Sequence, residues 1–558
     1  MIDNLGSALS LISSDPSTIF IVLAAAVFGL VIGAIPGLTA TLGAALLIPF
    51  TFFMDPVPAI ASIIAMSAMA IFAGDVPGAL LRMPGTPSSA AYVEDAYSLT
   101  RQGRGAVGLG VSLIASAIGG LIGSVVLIFL AQILGRFAMN FTSFEYFWVA
   151  VLGLTAAVII SQGSQVKGAL ALVFGLLIST VGLDITLGQP RFTFGMAELY
   201  RGIDFIPAMI GLFGLSEVLR NVTSRSSQVR KMPQVKTKGM VRDSFAEVGK
   251  NKRAVAQGTV TGSIAGVLPG AGADIAAWIS YGVAKATSRT PQKFGRGSTE
   301  AIAGASSANN SALSSAYIPT LAFGIPGDTI TAILIGVLVV KGIEPGPSLF
   351  TQNTDTLYAL YIMFFIANLL LLPLGFLLIR GASTILKIPR SILMAIIVAV
   401  SVMGAYAINN GYLEIIIVLV FGLFGVLFER FGIPLAPVVL GIVLGPVVER
   451  NFLSSVIKTD WDLTQFFTRP ISAVLIVLTL LMLFAPKAME AFNKRTEKAA
   501  EKRLAEVGAL DGEDDAAGPA VAEKVVADNA AEPTGVVHEP SPPEQQTEAR
   551  DLQDPDAR

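Results

Sequence analysis

Apolar stretches of membrane length follow one another along the chain, separated by short polar breaks. They occupy 17–35, 56–73, 106–135, 146–160, 166–183, 205–219, 357–379, 391–408, 412–428, 433–448 and 470–485. A helix needs about 20 apolar residues, with a lower limit near 17, to cross the hydrocarbon core. Nothing alternates with the two-residue period of barrel strands, so the pattern predicts an all-α polytopic membrane protein. Further apolar runs pass through Pro-Gly pairs, and broken helices of this kind bring the expected total to roughly 11–13 crossings.

Those Pro-Gly pairs are written twice. GLVIGAIPGLTA (29–40) and GDVPGALLRMPGTPSSA (74–90) are answered by GSIAGVLPGAGA (262–273) and AYIPTLAFGIPGDTITA (316–332). Gly29, Gly33, Pro36 and Gly37 fall on Gly262, Gly266, Pro269 and Gly270 at an offset of 233 residues. Pro77, Pro84 and Gly85 fall on Pro319, Pro326 and Gly327 at an offset of 242. Pro removes a backbone donor and Gly tolerates left-handed geometry, so each pair stops a helix and turns the chain. Each is followed by a residue suited to opening a new helix: Thr39 or Thr41, Thr86, Asp274 and Asp328.

One Pro-Gly alone is as well explained by a kinked membrane helix. Duplicated and interrupted apolar segments instead indicate a carrier built from two structural repeats, with broken helices and re-entrant Pro-Gly segments around a central site. The first half crosses an odd number of times if the acidic N-terminus faces outward, which makes the second repeat inverted. A helix that starts inside the membrane presents unpaired N–H groups and a positive dipole end, which suit a carboxylate. The carbonyl ends of the preceding half-helices suit Na⁺.

Composition narrows the chemistry. The chain is 53% hydrophobic and 14% charged, with a mean hydropathy of +0.69. Of its 78 charged residues, 26 lie after residue 486, so the membrane part carries few. There is no cysteine, and the single histidine, His538, lies in that polar tail. Thiol catalysis, Cys/His zinc sites and a Ser-His-Asp hydrolase are thereby excluded, and no enzyme activity is expected. The net charge of −2 is scattered locally and implies no nucleic-acid partner.

Five segments are expected. Residues 1–16 are an acidic N-terminal segment without the basic start of a signal peptide. Residues 17–219 hold the first repeat and its following helices, and 254–486 hold the second. Between them, 220–253 carries ten basic residues and is assigned to the cytoplasm by the positive-inside rule. Residues 487–558 are a polar tail of disordered composition, also placed in the cytoplasm.

At this point PGLTATLGAALLIPFTFFMDP (36–56), MPGTPSSAAYVEDAYSLTRQGRG (83–105), PGAGADIAAW (269–278), SSANNSA (306–312), FGIPGDTITAILIG (323–336) and GIEPGPSLF (342–350) resemble the large membrane subunit of tripartite tricarboxylate transporters, the TctA family. The resemblance spans about 17–485. It implies an ion-coupled importer of citrate-like tricarboxylates or related carboxylates in the bacterial inner membrane. It also implies a small four-helix membrane subunit and a periplasmic substrate-binding protein as partners, with no cofactor beyond Na⁺ or H⁺ as coupling ion. The chain has no Walker-type phosphate loop, in keeping with a system that consumes no ATP. It departs from the family pattern at Ala73-Gly74-Asp75, where many members have Tyr-Gly-Gly, at Arg82 in place of Asn, and at Ala91–Ala96 in place of Thr-Ala-Leu-Asp-Gly.

The candidate substrate site comprises Gly37, Thr39, Gly85, Thr86, Ser88, Ser89, Gly327, Asp328 and Thr329 at the breaks, with Asn309 and Asn310 from the serine-rich segment. Arg82 is a candidate carboxylate clamp, a guanidinium gripping two oxygens at once, or else a partner of Asp75 or a loop residue. Asp75, Thr41 and Asp274 are candidates for Na⁺ coordination, with helix capping as the competing role for Asp274 and Asp328. An anion channel could use the same broken helices. An intramembrane aspartyl protease built on Asp75 and Asp274 is a weaker alternative, because neither sits in a protease motif.

Overall fold

A computed structural model describes residues 6–10, 12, 16–160, 164–186, 188–223, 237–268, 272–386 and 390–483. Eight described helices are long and apolar enough to cross a membrane, and five shorter apolar helices accompany them. All eleven apolar runs read from the sequence fall on these helices. The tail 487–558 lies outside the described residues, as do Pro269, Gly270 and residues 224–236 of the connector.

The first half contains α1 (Pro16–Ala34), α2 (Ala40–Thr51), α3 (Pro56–Ala73), α4 (Asp75–Leu81), α5 (Val93–Arg101), α6 (Gly105–Ala138), α7 (Ser143–Ile160) and α8 (Gln165–Ser179). A small hairpin then pairs Gly182–Leu183 with Pro190–Arg191. Helices α9 (Phe205–Met209) and α10 (Ser216–Thr223) are joined by a π turn at Ile210–Leu215. The connector ends in α11 (Met240–Lys250). The second half contains α12 (Lys252–Val267), α13 (Gly272–Thr287), α14 (Thr299–Phe323), α15 (Thr329–Val340) and α16 (Thr354–Ile385). It closes with α17 (Arg390–Asn409), α18 (Tyr412–Arg430), α19 (Leu435–Lys458) and α20 (Pro470–Leu483).

Lipid provides no hydrophobic drive between helices, so their association rests on close packing and on hydrogen bonds between them. Glycine supplies the first. A Cβ on Gly29 or Gly33 of α1 would stand 2.3 Å from the Met66 carbonyl and 2.2 Å from the Ala70 carbonyl of α3. A Cβ on Gly262 or Gly266 of α12 would stand 2.2 Å from the Ala308 carbonyl and 2.4 Å from the Ala312 carbonyl of α14. Ala308 and Ala312 lie 242 residues beyond Met66 and Ala70, so both offsets of the duplicated motif recur in one helix contact made twice.

Helix α14 is the post around which the rest packs. Every residue from Ala301 to Ala322 is buried, against α6, α12 and α13. Its serines make the interhelical bonds. Ser307 donates to the Val255 carbonyl at 3.1 Å, Ser311 to the Thr259 carbonyl at 2.9 Å, and Ser314 to the Gly120 carbonyl at 3.2 Å. These serines and asparagines lower its hydropathy, so α14 is absent from the apolar runs although it is the most central helix.

Alanine at Gly33 or Gly266 must push two backbones apart, and overpacking of this sort costs about 1–3 kcal/mol. Thermal unfolding of the purified protein is expected to show that loss for Gly33→Ala and Gly266→Ala. Gly249→Ala, whose Cβ would meet nothing within 4 Å, is expected to leave stability unchanged or slightly raised. Equal melting of all three variants would contradict the packing account.

Candidate functional site

The breaks converge on one cavity of about 620 Å³. At the first break Gly37 has φ +91°, which L residues rarely adopt, and Thr39 caps α2 by accepting from Leu42 N at 3.1 Å. At the second, Thr86 and Ser89 bond each other reciprocally: Thr86 N donates to Ser89 Oγ and Ser89 N to Thr86 Oγ1, both at 3.2 Å. The chain continues as a 3₁₀ turn, Ser89–Tyr92, before α5. At the last break Asp328 and Thr331 form the same reciprocal pair, each 242 residues beyond Thr86 and Ser89, and both bonds are 2.8 Å.

Two contacts cross between the halves at this point. Thr41 Oγ1 and Thr329 Oγ1 are 3.0 Å apart, and Ser88 N donates to Asp274 Oδ1 at 3.1 Å. Asp274 lies 233 residues beyond Thr41, so the start of each half's second helix touches the other half's later break. Trp278 Nε1 adds a further crossing bond, to the Pro87 carbonyl at 3.2 Å.

Of the residues expected from the sequence, Gly37, Thr39, Thr41, Thr86, Ser88, Asp274, Asp328 and Thr329 line the cavity. Gly85 and Gly327 lie behind it as packing positions. A Cβ there would stand 2.7 Å from the Gly74 carbonyl or 2.4 Å from the Ala316 carbonyl. Ser89 is buried in the cap with Thr86. Asn309 stands one layer back, donating from Nδ2 to Ser88 Oγ at 3.0 Å. Asn310 is buried one position further along α14 and, among the described residues, its amide has no bond to the cavity wall.

Four expectations need correction. Arg82 is not a clamp in the cavity: it terminates α4 in a left-handed conformation, and its side chain, 58% exposed, pairs with Glu94 at 2.8 Å. Asp75 is buried away from the cavity, where it accepts from Tyr92 Oη at 2.6 Å and from Ser112 Oγ. With both oxygens engaged by hydroxyls, it stands apart from Thr41 and Asp274. Asp274 does not open its helix: α13 starts two residues earlier, which frees the carboxylate to reach Ser88. At α15 Asp328 takes the capping role weighed for it in the sequence, accepting from Thr331 N, so this helix end is not bare as expected. An anion there would meet a terminus answered by the chain's own carboxylate, so hydroxyl oxygens, rather than an open helix end, form the polar floor.

The remaining lining was not legible as a site. Phe213 and Ser216 come from the π turn and its exit, and π turns recur at functional positions because they re-aim side chains. Glu217 and Arg220 follow on α10, and Glu429 and Gly432–Ala436 come from the end of α18 and the turn after it. From the sequence, Arg220 counted among the basic connector residues. The available signal was its i, i+3 spacing from Glu217 at the end of an apolar run. Among the described residues no group of three or more His, Cys, Asp or Glu could hold a metal ion.

Asp328 tests the local geometry. Replacement by Ala removes an N-cap, which costs about 0.5–2 kcal/mol, whereas Asn caps as well as Asp. Thermal melting should therefore fall for Asp328→Ala and hold for Asp328→Asn. A matching fall in both would mean that the charge, not the cap, is what the position needs.

The family described as the tripartite tricarboxylate transporter TctA family matches residues 19–440. An uncharacterized 52.8 kDa protein of the TAR-I ttuC' 3' region of Agrobacterium vitis is 35% identical over 452 residues, 81% of this chain and 89% of that one. An uncharacterized protein of the TAR-II ttuC' 3' region of the same organism is 36% identical over 236 residues, 42% of this chain and 98% of its own length. No solved structure matches the chain.

Proposed function

Since the chain belongs to the tripartite tricarboxylate transporter TctA family and is the permease component of a transporter, we propose that it imports tricarboxylates or related carboxylates across the bacterial inner membrane. A periplasmic binding protein delivers the anion, a small membrane subunit completes the complex, and an inward gradient of Na⁺ or protons drives uptake. The observation that carries this reading is the cavity at which the breaks of both halves meet. We read the recurring glycine contacts, the two reciprocal caps and the crossed Thr41–Thr329 and Ser88–Asp274 pairs as the marks of two repeats around a shared site.

In this account one carboxylate of the substrate rests on the hydroxyls of Thr41, Thr86, Ser88 and Thr329. Coupling cations neutralise Asp274 and Asp328, since two uncompensated carboxylates beside an anion would oppose binding. The basic connector faces the cytoplasm, and α10 leads into it, so Arg220 marks the cytoplasmic end of the cavity.

Uptake of labelled mono-, di- and tricarboxylates is the test. The chain is co-expressed with its small subunit and binding protein in cells lacking their own carriers, with and without an imposed Na⁺ or proton gradient. Gradient-driven accumulation that requires the binding protein is expected. Flux that only equilibrates would point to a channel, and no carboxylate flux through a correctly inserted complex would overturn the cargo.

A further inference from the structure

One group in the cavity is not explained by the duplicated motif. Among the lining residues Arg220 is the single cation, set against Glu217, Asp274, Asp328 and Glu429. A polyanion entering this space meets one group with which it can form a charge-assisted, forked hydrogen bond. Arg220 lies near the end of α10 and lines the same cavity as the hydroxyls of the breaks; its partner Glu217 stands beside the first of them, with Oε1 3.5 Å from where a Cβ on Gly37 would be.

Among the described residues Glu217 and Glu429 both pair with Arg220, and the two differ. Glu217 stands one turn earlier on the same helix, with a side chain only 9% exposed. It is also gripped by Asn221, whose Nδ2 donates to Glu217 Oε1 at 2.6 Å and to the Glu217 carbonyl at 2.8 Å. It is fixed from two sides and orients the guanidinium. Glu429 comes from α18, accepts from Arg220 Nη1 at 2.7 Å, and is 34% exposed. A partly solvated carboxylate of this kind is released into water at little cost, because such pairs contribute about 0–1 kcal/mol.

From this asymmetry we infer that Arg220 selects substrates bearing a second carboxylate, and that Glu429 is an internal surrogate which this carboxylate displaces. The inference rests on reading the cavity as the carboxylate site and names the residue that receives the second carboxylate: one group rests on the hydroxyl floor and another on Arg220. Glu217 is then a positioning residue that keeps the fork turned toward the incoming oxygen pair. A cavity of about 620 Å³ lies within the range of ordinary small-molecule sites and has room for both contacts.

The bland alternative is an ion pair that only ties α10 to α18, and the two readings predict opposite signs. Arg220→Gln, Arg220→Lys and Glu429→Gln are each measured in the complete transporter, with uptake normalised to inserted protein and KM separated from maximal rate. Arg220→Gln is expected to raise KM for di- and tricarboxylates roughly 10- to 100-fold, the range for losing a hydrogen bond to a charged group, while KM for monocarboxylates stays near its starting value. Arg220→Lys keeps the charge without the fork and falls between. Glu429→Gln removes the competitor and is expected to lower KM about two- to five-fold.

If Arg220→Gln and Glu429→Gln both lower the maximal rate or the inserted amount, with the preference among carboxylates unchanged, the pair is structural and the inference fails. A wild-type transporter that accumulates only monocarboxylates also sinks it, while leaving the functional reading intact. A wild type that accumulates no carboxylate overturns the functional reading itself.

Discussion

A helix that stops inside a membrane leaves N–H and C=O groups that lipid cannot satisfy, and this constraint shapes the centre of the molecule. The three described breaks answer it with local side chains or a neighbouring backbone: Thr39 for Leu42 N, the Thr86–Ser89 pair, the Asp328–Thr331 pair, and Gly85 N to the Gly74 carbonyl at 3.0 Å. Satisfying these ends concentrates hydroxyls and carboxylates around one cavity in an otherwise apolar chain. The polar lining of the cavity thus follows from the broken helices. A membrane protein without such breaks would have no cause to gather these groups there.

Close packing is what holds the breaks in register. Gly29 and Gly33 let α1 lie against α3, and Gly262 and Gly266 let α12 lie against α14, with main chains in direct contact. Helix α14 adds serine hydroxyls that bond to α6 and α12 rather than to water. The charged groups that do enter the core are answered individually. Asp95, fully buried, accepts from Gly297 N, Ser298 N, Gly295 N and Tyr281 Oη, and so pins the loop before α14 to the first half. Outside the core, Glu247 on the connector helix bonds Arg104 and Lys250. Burial opposes its ionisation, but Lys250, Thr299 and Arg104 outweigh that and hold its carboxyl below the usual range.

Much of this was legible because membrane length and Pro-Gly punctuation are local signals. The eleven apolar runs lie on helices, the described breaks fall where the pattern put them, and eight of the candidate residues line one cavity. Position along the chain could not show direction. Arg82 stands in a motif of site residues, yet a left-handed end to α4 turns it to solvent. Asp75 sits beside a break, yet Tyr92 and Ser112 claim it. Arg220 looked like the first residue of a solvated basic run, and only the packing of α10 against α18 brings it to the cavity. The most buried helix, α14, is not among the eleven clear runs for the opposite reason: its serines and asparagines lower its hydropathy, although they face other helices.

The central claim is that substrate occupies the cavity where the two halves cross. The chain contains no cysteine, so a single thiol can be placed there without background. Thr329→Cys in the complete transporter would be labelled with a small maleimide, with and without saturating polycarboxylate. A matched cysteine at exposed Val166 serves as the control. The account predicts that substrate slows labelling of Thr329→Cys and leaves the control unaffected. Unchanged labelling at position 329 under conditions of active uptake would place the substrate elsewhere and contradict it.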